Sequence, residues 1–345
     1  MVVRNIKSKK NLCMVNTPYS LFLYFLICGY NEEDIFVLTN RIPKEIRDNV
    51  DHIYFPLSGV PLQVRESSIK YFFYILRIIY EVFILRVKLY FKTRGYEISV
   101  YGHAQFVFSF PFYEYENSYI IEDGTGNYIE LSPFNEFPPF KKLIFGKVFG
   151  KYIDKETDGW GTHPNIKKVY LTRNEGYSKL IGDKVVSKPI VESIKSLTDE
   201  DKVKILQIFN FEDILSENIS SDAVLLLTEA YCESHLLDVD EEVRIYSEMI
   251  SNYDEENVFI KPHPRDEKDY NKYFPKSKVI NAKFPLEVVH LLDIDFKKIL
   301  IVESTAAFNF DCEVEFYEGE ISNNFINESR RRIKKQYYDF RNNKK

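Results

Sequence analysis

Residues 11–30 read NLCMVNTPYSLFLYFLICGY, and the order of residue types in that stretch decides the fold class. Leu12–Val15 is a short, wholly apolar run, as expected of a buried strand. Thr17 is a good N-cap and Pro18 suits a first helical position, so a helix is predicted from Pro18 to Cys28. A buried strand that turns within two residues into an apolar helix is the opening of a βαβ unit. The start MVVRNIKSKK is basic, but Asn16, Thr17-Pro18 and Ser20 interrupt the apolar run behind it, so no secretory leader is expected.

The pattern continues outward from there. Further strands are predicted at Asp34–Thr39, His52–Pro56, Glu97–Tyr101 and Ser118–Glu122, with helices near Ser68–Lys92 and Gln105–Tyr113. A second series follows, with strands at Val203–Phe209, Ala223–Leu227, Val258–Lys261, Lys278–Asn281 and Ile299–Val302. Its helices fall near Asp240–Tyr253, Leu286–Leu292 and Asn324–Phe340. Strands alternating with helices imply parallel sheets wrapped by helices, an α/β fold. Residues 130–165 lack clean periodicity, and 345 residues suit two domains, expected at 1–155 and 156–345. Neither half carries the GxGxxG or GxxxxGK[ST] loop of dinucleotide-binding or P-loop proteins.

Composition narrows the function. Apolar residues at 45% and charged residues at 28% exclude a disordered chain, and a net charge of −6 gives no reason to expect nucleic acid as a partner. The four cysteines, at 13, 28, 232 and 312, form no CxxC, which fits a reduced, cytoplasmic protein without a disulfide framework or zinc ribbon.

Residues 68–92 are rich enough in Phe, Tyr, Ile and Leu to resemble a membrane span. Lys70, Arg77, Glu81, Lys88 and Lys92, however, recur at helical spacing and form one charged stripe. Each would cost about 2.5–3.5 kcal/mol at a bilayer centre, so the segment is predicted as an amphipathic helix with its wide aromatic face buried. Core packing is the first expectation for that face, and a homodimer contact or a lipid surface are the alternatives. The last sixteen residues, RRRIKKQYYDFRNNKK, hold eight cations against one Asp. A frayed, solvated tail is the plain expectation, and peripheral attraction to an anionic membrane the functional one.

Three constellations at predicted strand ends carry chemistry. Glu122-Asp123-Gly124-Thr125-Gly126-Asn127 places two carboxylates on a glycine turn whose spacing is not that of an EF-hand. Lys261-Pro262-His263-Pro264-Arg265 holds a histidine between two prolines with cations on both sides, which suits an anion better than a metal. Glu303-Ser304-Thr305-Ala306-Ala307 offers hydroxyls at the expected start of a helix, where anions bind. The other histidines, at 52, 103, 163, 235 and 290, are expected to be structural or on the surface.

Together and in this order, the three resemble bacterial sialyltransferases of glycosyltransferase family 52, which carry an [ED]DG turn, a PHPR motif and a serine-containing strand end. The resemblance spans about residues 10–310. It implies a GT-B architecture of two Rossmann-like, doubly wound domains facing a central cleft, and inverting, metal-independent transfer of sialic acid from a CMP-activated donor to an oligosaccharide acceptor. No cofactor is implied beyond that CMP-sugar donor.

The resemblance implies a carboxylate of base function near Asp240, ahead of His263. In the mechanism expected here, His263 would act on the leaving phosphate and Asp123 is the first choice of general base, with Asp240 the second. Glu287 would hold the cytidine ribose and Ser304 and Thr305 the phosphate. Glu122, Gly124, Lys261, Pro264 and Arg265 complete the expected substrate contacts. Acceptor choice is expected in residues 40–66 and 104–117. The rival readings are a family-related α-glucosyltransferase, a transferase of another CMP-activated nonulosonic acid, and a non-catalytic polysaccharide-assembly scaffold.

Overall fold

The computed structural model describes residues 8–57, 68–106, 108–128, 130–132, 156–211, 222–292 and 296–343. It divides into two units, Met1–Phe211 and Glu212–Lys345, each built on its own sheet. Residues 58–67 and 107, part of the expected acceptor loops, and most of the irregular 130–165 region lie outside the described residues.

The first unit runs β1 (Lys9–Val15), α1 (Pro18–Cys28), β2 (Ile35–Thr39), α2 (Lys44–Arg47), β3 (His52–Phe55), α3 (Ser68–Thr93), β4 (Glu97–Gly102), α4 (Pro111–Glu114) and β5 (Asn117–Ile121). It continues through β6 (Ile166–Leu171), β7 (Val185–Ser187), α5 (Ile190–Lys195) and α6 (Asp199–Ile208). Its seven strands lie in the order β3-β2-β1-β4-β5-β6-β7, every neighbouring pair parallel. The chain order reverses between β1 and β4, the switch point at which doubly wound sheets open a crevice beyond their carboxyl ends.

The βα opening forms as its residues dictate. Thr17 caps α1 by accepting from the Ser20 N–H at 3.2 Å, and Gly29 ends it at φ +72° with its N–H on the Phe25 carbonyl. Every side chain from Ser20 to Leu26 is buried. Phe22 and Phe25 meet Phe209 edge-on, so the end of α6 closes over α1. At the switch point, Gly102 sits at φ +132°, and an added Cβ would lie 1.9 Å from the Met14 carbonyl oxygen of β1. Gly102→Ala is therefore expected to destabilise the first unit by about 3 kcal/mol or more, read as a lower urea midpoint.

Several expectations are corrected. Residues 203–208 are helical, not extended, and belong to α6, with Phe209 as its C-cap. Thr198 caps that helix and Asp199, Glu200 and Asp201 complement its dipole, signals that outweigh the short apolar run. The first unit does not end at 155, because β6 and β7 extend its sheet and the division falls after Phe211. Among the described residues of 105–113 only Pro111–Tyr113, the start of α4, is helical. Of the described side chains of α3, only one narrow row is buried: Ile78, Val82, Leu85, Leu89 and Thr93. The aromatic face expected in the core is in solvent, with Phe72 at 59%, Phe83 at 60% and Phe91 at 70% exposure.

The second unit comprises β8 (Val224–Leu227), α7 (Val239–Ile250), β9 (Val258–Lys261), β10 (Lys278–Val279), β11 (Lys298–Ile301), β12 (Glu313–Phe316) and α8 (Asn324–Asn343). Its parallel strands run β10-β9-β8-β11-β12, with the reversal between β8 and β11. The described C-terminal residues are not a frayed tail. Helix α8 buries Ile326, Ile333 and Tyr337, and Arg330 and Arg341 donate to the carbonyls of Tyr317, Gly319, Phe310 and Cys312.

Candidate active site

In the first unit, chemistry collects where the switch-point rule places it. Asn16-Thr17 follows β1, His103 follows β4, and Glu122-Asp123 follows β5. The Asp123 N–H donates to Asn127 Oδ1 at 2.8 Å, which fixes the turn. Three groups surround Asp123 Oδ1: the Thr17 and Ser20 hydroxyls, both donating at 3.4 Å, and His103 Nε2 at 3.6 Å. Among the described residues no hydrogen bond engages the second carboxylate oxygen, and the side chain is 24% exposed. Gly124 adopts φ +114°, a left-handed backbone that favours glycine, with open space where a side chain would be.

Glu122 behaves differently from its neighbour. It is buried and accepts from Tyr19 Oη at 3.2 Å, Tyr128 Oη at 2.6 Å, and the Thr172 N–H and hydroxyl at 2.6 and 2.8 Å. Those four donors make it a clamp that ties the end of β5 to the end of β6. His103 is the residue that sequence reasoning assigned elsewhere. It is fully buried, and burial lowers its pKa against the opposing pull of Asp123, so the ring is neutral near pH 7. Its signal was positional: a histidine directly after the strand that pairs with β1.

In the second unit, β9, β8 and β11 lie side by side and end in His263, Thr228-Glu229 and Glu303-Ser304. The His263 N–H donates to Thr228 Oγ1 at 3.2 Å, and His263 Nδ1 accepts the Arg265 N–H at 3.1 Å. With Nδ1 engaged as an acceptor, the neutral ring carries its proton on Nε2. Burial, followed by Arg265 and Lys261, lowers the His263 pKa, while Asp266 and Glu233 oppose that shift. A neutral imidazole with an Nε2–H donor is the form this loop holds, and an incoming anion would raise its basicity. Pro264 and Arg265 follow in a turn closed by the Asp266 N–H on the His263 carbonyl at 2.9 Å.

Beneath that turn a polar network holds the loop. Thr228 Oγ1 donates to Asp266 Oδ2 at 3.1 Å, and Tyr270 Oη donates to the same oxygen. Lys268 Nζ lies 2.9 Å from Asp266, 3.1 Å from Glu242 and 3.3 Å from Glu233. Lys261, expected to touch substrate, instead turns inward: its buried Nζ donates to the Pro262 and Ala282 carbonyls at 3.0 and 3.1 Å. Burial depresses its pKa to about 8, opposed by Glu287. Lys261 thus joins the histidine loop to the segment carrying Glu287, which is itself buried. Asp240 is exposed in the first turn of α7, whereas its neighbour Glu242 is fully buried against Lys268.

Ser304 and Thr305 do follow β11, but Thr305–Asn309 is one 3₁₀ turn rather than an α-helix, and the Ser304 side chain makes no capping bond. The expected dipole of a long helix is absent there, and the hydroxyls remain. Two acids stand beside these loops: Glu229, which the sequence reading missed, and Glu303, which it quoted without assigning a role. Glu229 has its pKa raised to about 8 by burial first and then by Glu303 and Glu242, with Arg265 opposing. Glu303 Oε2 is buried with no hydrogen bond among the described residues.

The raised Glu229 value has a stability consequence. A carboxyl whose folded pKa lies above its unfolded one favours the folded state fully at low pH and loses that contribution as pH rises toward 8. Thermal melts between pH 5 and pH 8.5 are expected to show that decline, and Glu229→Gln to flatten it.

The sequence as a whole matches the family model described as glycosyltransferase family 52 over residues 65–322, three-quarters of the chain. The chain belongs to glycosyltransferase family 52. It is 31% identical over 231 residues to an uncharacterized protein of Haemophilus influenzae, covering 67% of this chain and 71% of that one. Two solved structures share the fold. One is an α/β-galactoside α-2,3-sialyltransferase from Photobacterium phosphoreum, with TM-score 0.52 and 13% identity over 95% of this chain and 96% of that one. The other is the GT-B domain of a sialyltransferase from Photobacterium damselae, with TM-score 0.53 and 14% identity over 92% and 95%. The family 52 chain is therefore a glycosyltransferase of GT-B type, with two parallel α/β sheets as the sequence implied. Among the described residues of this family 52 enzyme, no group of three His, Cys, Asp or Glu side chains is placed to hold a metal ion. No helix among them is long and apolar enough to cross a membrane.

Proposed function

We propose that this enzyme transfers sialic acid, with inversion, from CMP-sialic acid to the terminal sugar of a bacterial surface glycan, working at the cytoplasmic face. The observation that carries the proposal is the held state of His263: Nδ1 engaged by the Arg265 N–H, leaving Nε2–H as the donor. As the bond to CMP breaks, charge grows on the phosphate and the sugar becomes oxocarbenium-like. His263 Nε2–H hydrogen-bonds that phosphate and supplies the proton it gains, while the Ser304 and Thr305 hydroxyls hold its other oxygens. Arg265 adds the positive charge that a metal would otherwise provide, so the proposed chemistry needs no cofactor. Glu287, held through the Lys261 loop, binds the ribose hydroxyls.

Asp123 takes the proton of the attacking acceptor hydroxyl through the carboxylate oxygen that Thr17, Ser20 and His103 leave open. Asp240, solvated in the first turn of α7, complements that helix's dipole and is the weaker choice of base. Glu122 and Lys261 position loops rather than touch substrate. Gly124 gives the acceptor close approach to the acidic turn, and Pro264 keeps the histidine loop rigid. The test is to incubate purified enzyme separately with CMP-sialic acid and UDP-glucose and follow nucleotide release and transfer. CMP release with sialyl transfer is expected. Turnover of UDP-glucose alone would replace this reading with the glucosyl one, and turnover of neither with the scaffold.

A further inference from the structure

Trp160, the chain's one tryptophan, ends the 3₁₀ turn Glu156–Trp160 ahead of β6. The backbone on both sides of it is pressed against the first unit. A Cβ at Gly159 would lie 3.1 Å from the Ala104 carbonyl oxygen, directly after His103, and one at Gly161 would lie 2.8 Å from Val169 Cγ2 of β6. The turn is closed from behind: the Thr162 hydroxyl donates to Asp158 Oδ1 at 3.0 Å, and Lys184 Nζ donates to the Gly161 carbonyl at 2.8 Å. The indole packs against the core of the first unit, yet the residue is only half-buried. Its six-membered ring reaches the acidic turn, where a Cβ at Gly126 would lie 3.2 Å from Cη2 and 3.7 Å from Cζ3. Gly126 is itself exposed, and its neighbour Asn127 holds the Asp123 N–H at 2.8 Å. The indole and the Asp123 carboxylate therefore border the same turn.

Core packing accounts for one end of this ring but not for the other, which lies over an exposed glycine beside the base. A sugar gives that end a purpose. A pyranose is polar around its rim, but its faces carry C–H groups, and a flat indole buries such a face without asking it for a hydrogen bond. We propose that Trp160 is the stacking wall for the acceptor's pyranose ring and fixes which of its hydroxyls meets Asp123. Glycine at 126 keeps the space beside the indole free of any side chain that would compete with the sugar. The inference rests on Asp123 being the base of the transfer, and it adds the group that orients the hydroxyl which that base deprotonates. The contact is made in the ground state and the transition state alike, so its loss falls on KM rather than kcat.

The test titrates lactose, maltose and chitobiose into the full-length protein, with and without CMP, and reads tryptophan emission, which here comes from Trp160 alone. A saturable change with at least one disaccharide is expected. Calorimetry with that disaccharide is expected to show about tenfold weaker binding for Trp160→Leu, and recovery of most of the loss in Trp160→Tyr, which restores a flat ring. In transfer assays the same change should appear in the acceptor KM, with kcat nearly unaltered. Three results would overturn the proposal. Emission could stay constant with all three sugars. Affinity could be unaltered in a Trp160→Leu variant that melts as a folded protein. The leucine and tyrosine variants could lose affinity equally, the mark of a ring that only supports the fold. Should Trp160→Leu fail to fold, the wild-type titration and the tyrosine variant still decide. Binding needs neither donor nor turnover, so a disaccharide held at Trp160 without turnover of CMP-sialic acid would refute the donor assignment and leave this wall standing.

Discussion

His263→Ala is expected to lower kcat about 10²- to 10³-fold while donor affinity changes far less, because the lost hydrogen bond strengthens only as the phosphate departs. That loss corresponds to about 2.7–4 kcal/mol of transition-state stabilisation. The backbone of the loop does not depend on the imidazole: the His263 N–H is held by Thr228 and its carbonyl by the Asp266 N–H. The variant should therefore fold, and circular dichroism beside the kinetics separates lost chemistry from lost structure. Donor hydrolysis by water should fall together with transfer, since both need the phosphate to leave. A variant that kept near wild-type turnover would remove His263 from the leaving-group role.

Asp123→Asn is the second large effect, a loss of about 10²- to 10⁴-fold in transfer. Asparagine keeps the backbone N–H on Asn127 and can still accept from Thr17 and Ser20, but it cannot take a proton. Its signature differs from that of the histidine variant. Hydrolysis of the donor should persist, since departure of the phosphate does not require a base on the acceptor. If Asp123→Asn left transfer intact and Asp240→Asn abolished it, the base would be Asp240.

Much of this was legible along the chain, because buried parallel strands are short apolar runs with sharp ends. Leu12–Val15, Val258–Lys261 and the Thr17-Pro18 helix start fall where residue type alone puts them. Strand β6 was missed because its pattern is half polar, with Lys167 and Lys168 exposed, and β7 because it is a three-residue edge. The misreading of α6 followed from weighing its apolar run above its cap. The strand-end residues Asp123 and His263 could be read from local sequence. Their supports could not: Thr17 and His103 meet Asp123 only because β4 returns beside β1, and Thr228 meets His263 only because β8 lies beside β9. Periodicity gave the width of the apolar face on α3 but carried no information about what covers it.

The Lys268 hub makes the second unit unequal in how it can fail. One ammonium answers three carboxylates from three stretches of chain, so removing an acid leaves a cation still satisfied twice. Removing the cation takes the charge partner from three carboxylates, two of them, Glu242 and Asp266, with fully buried side chains. Substitution at Glu233 should thus be nearly silent in a melting curve, whereas Lys268→Met should lower the midpoint by many degrees. The hub is thus lopsided: the partly exposed Glu233 can be lost at little cost, and the lysine that answers all three acids cannot.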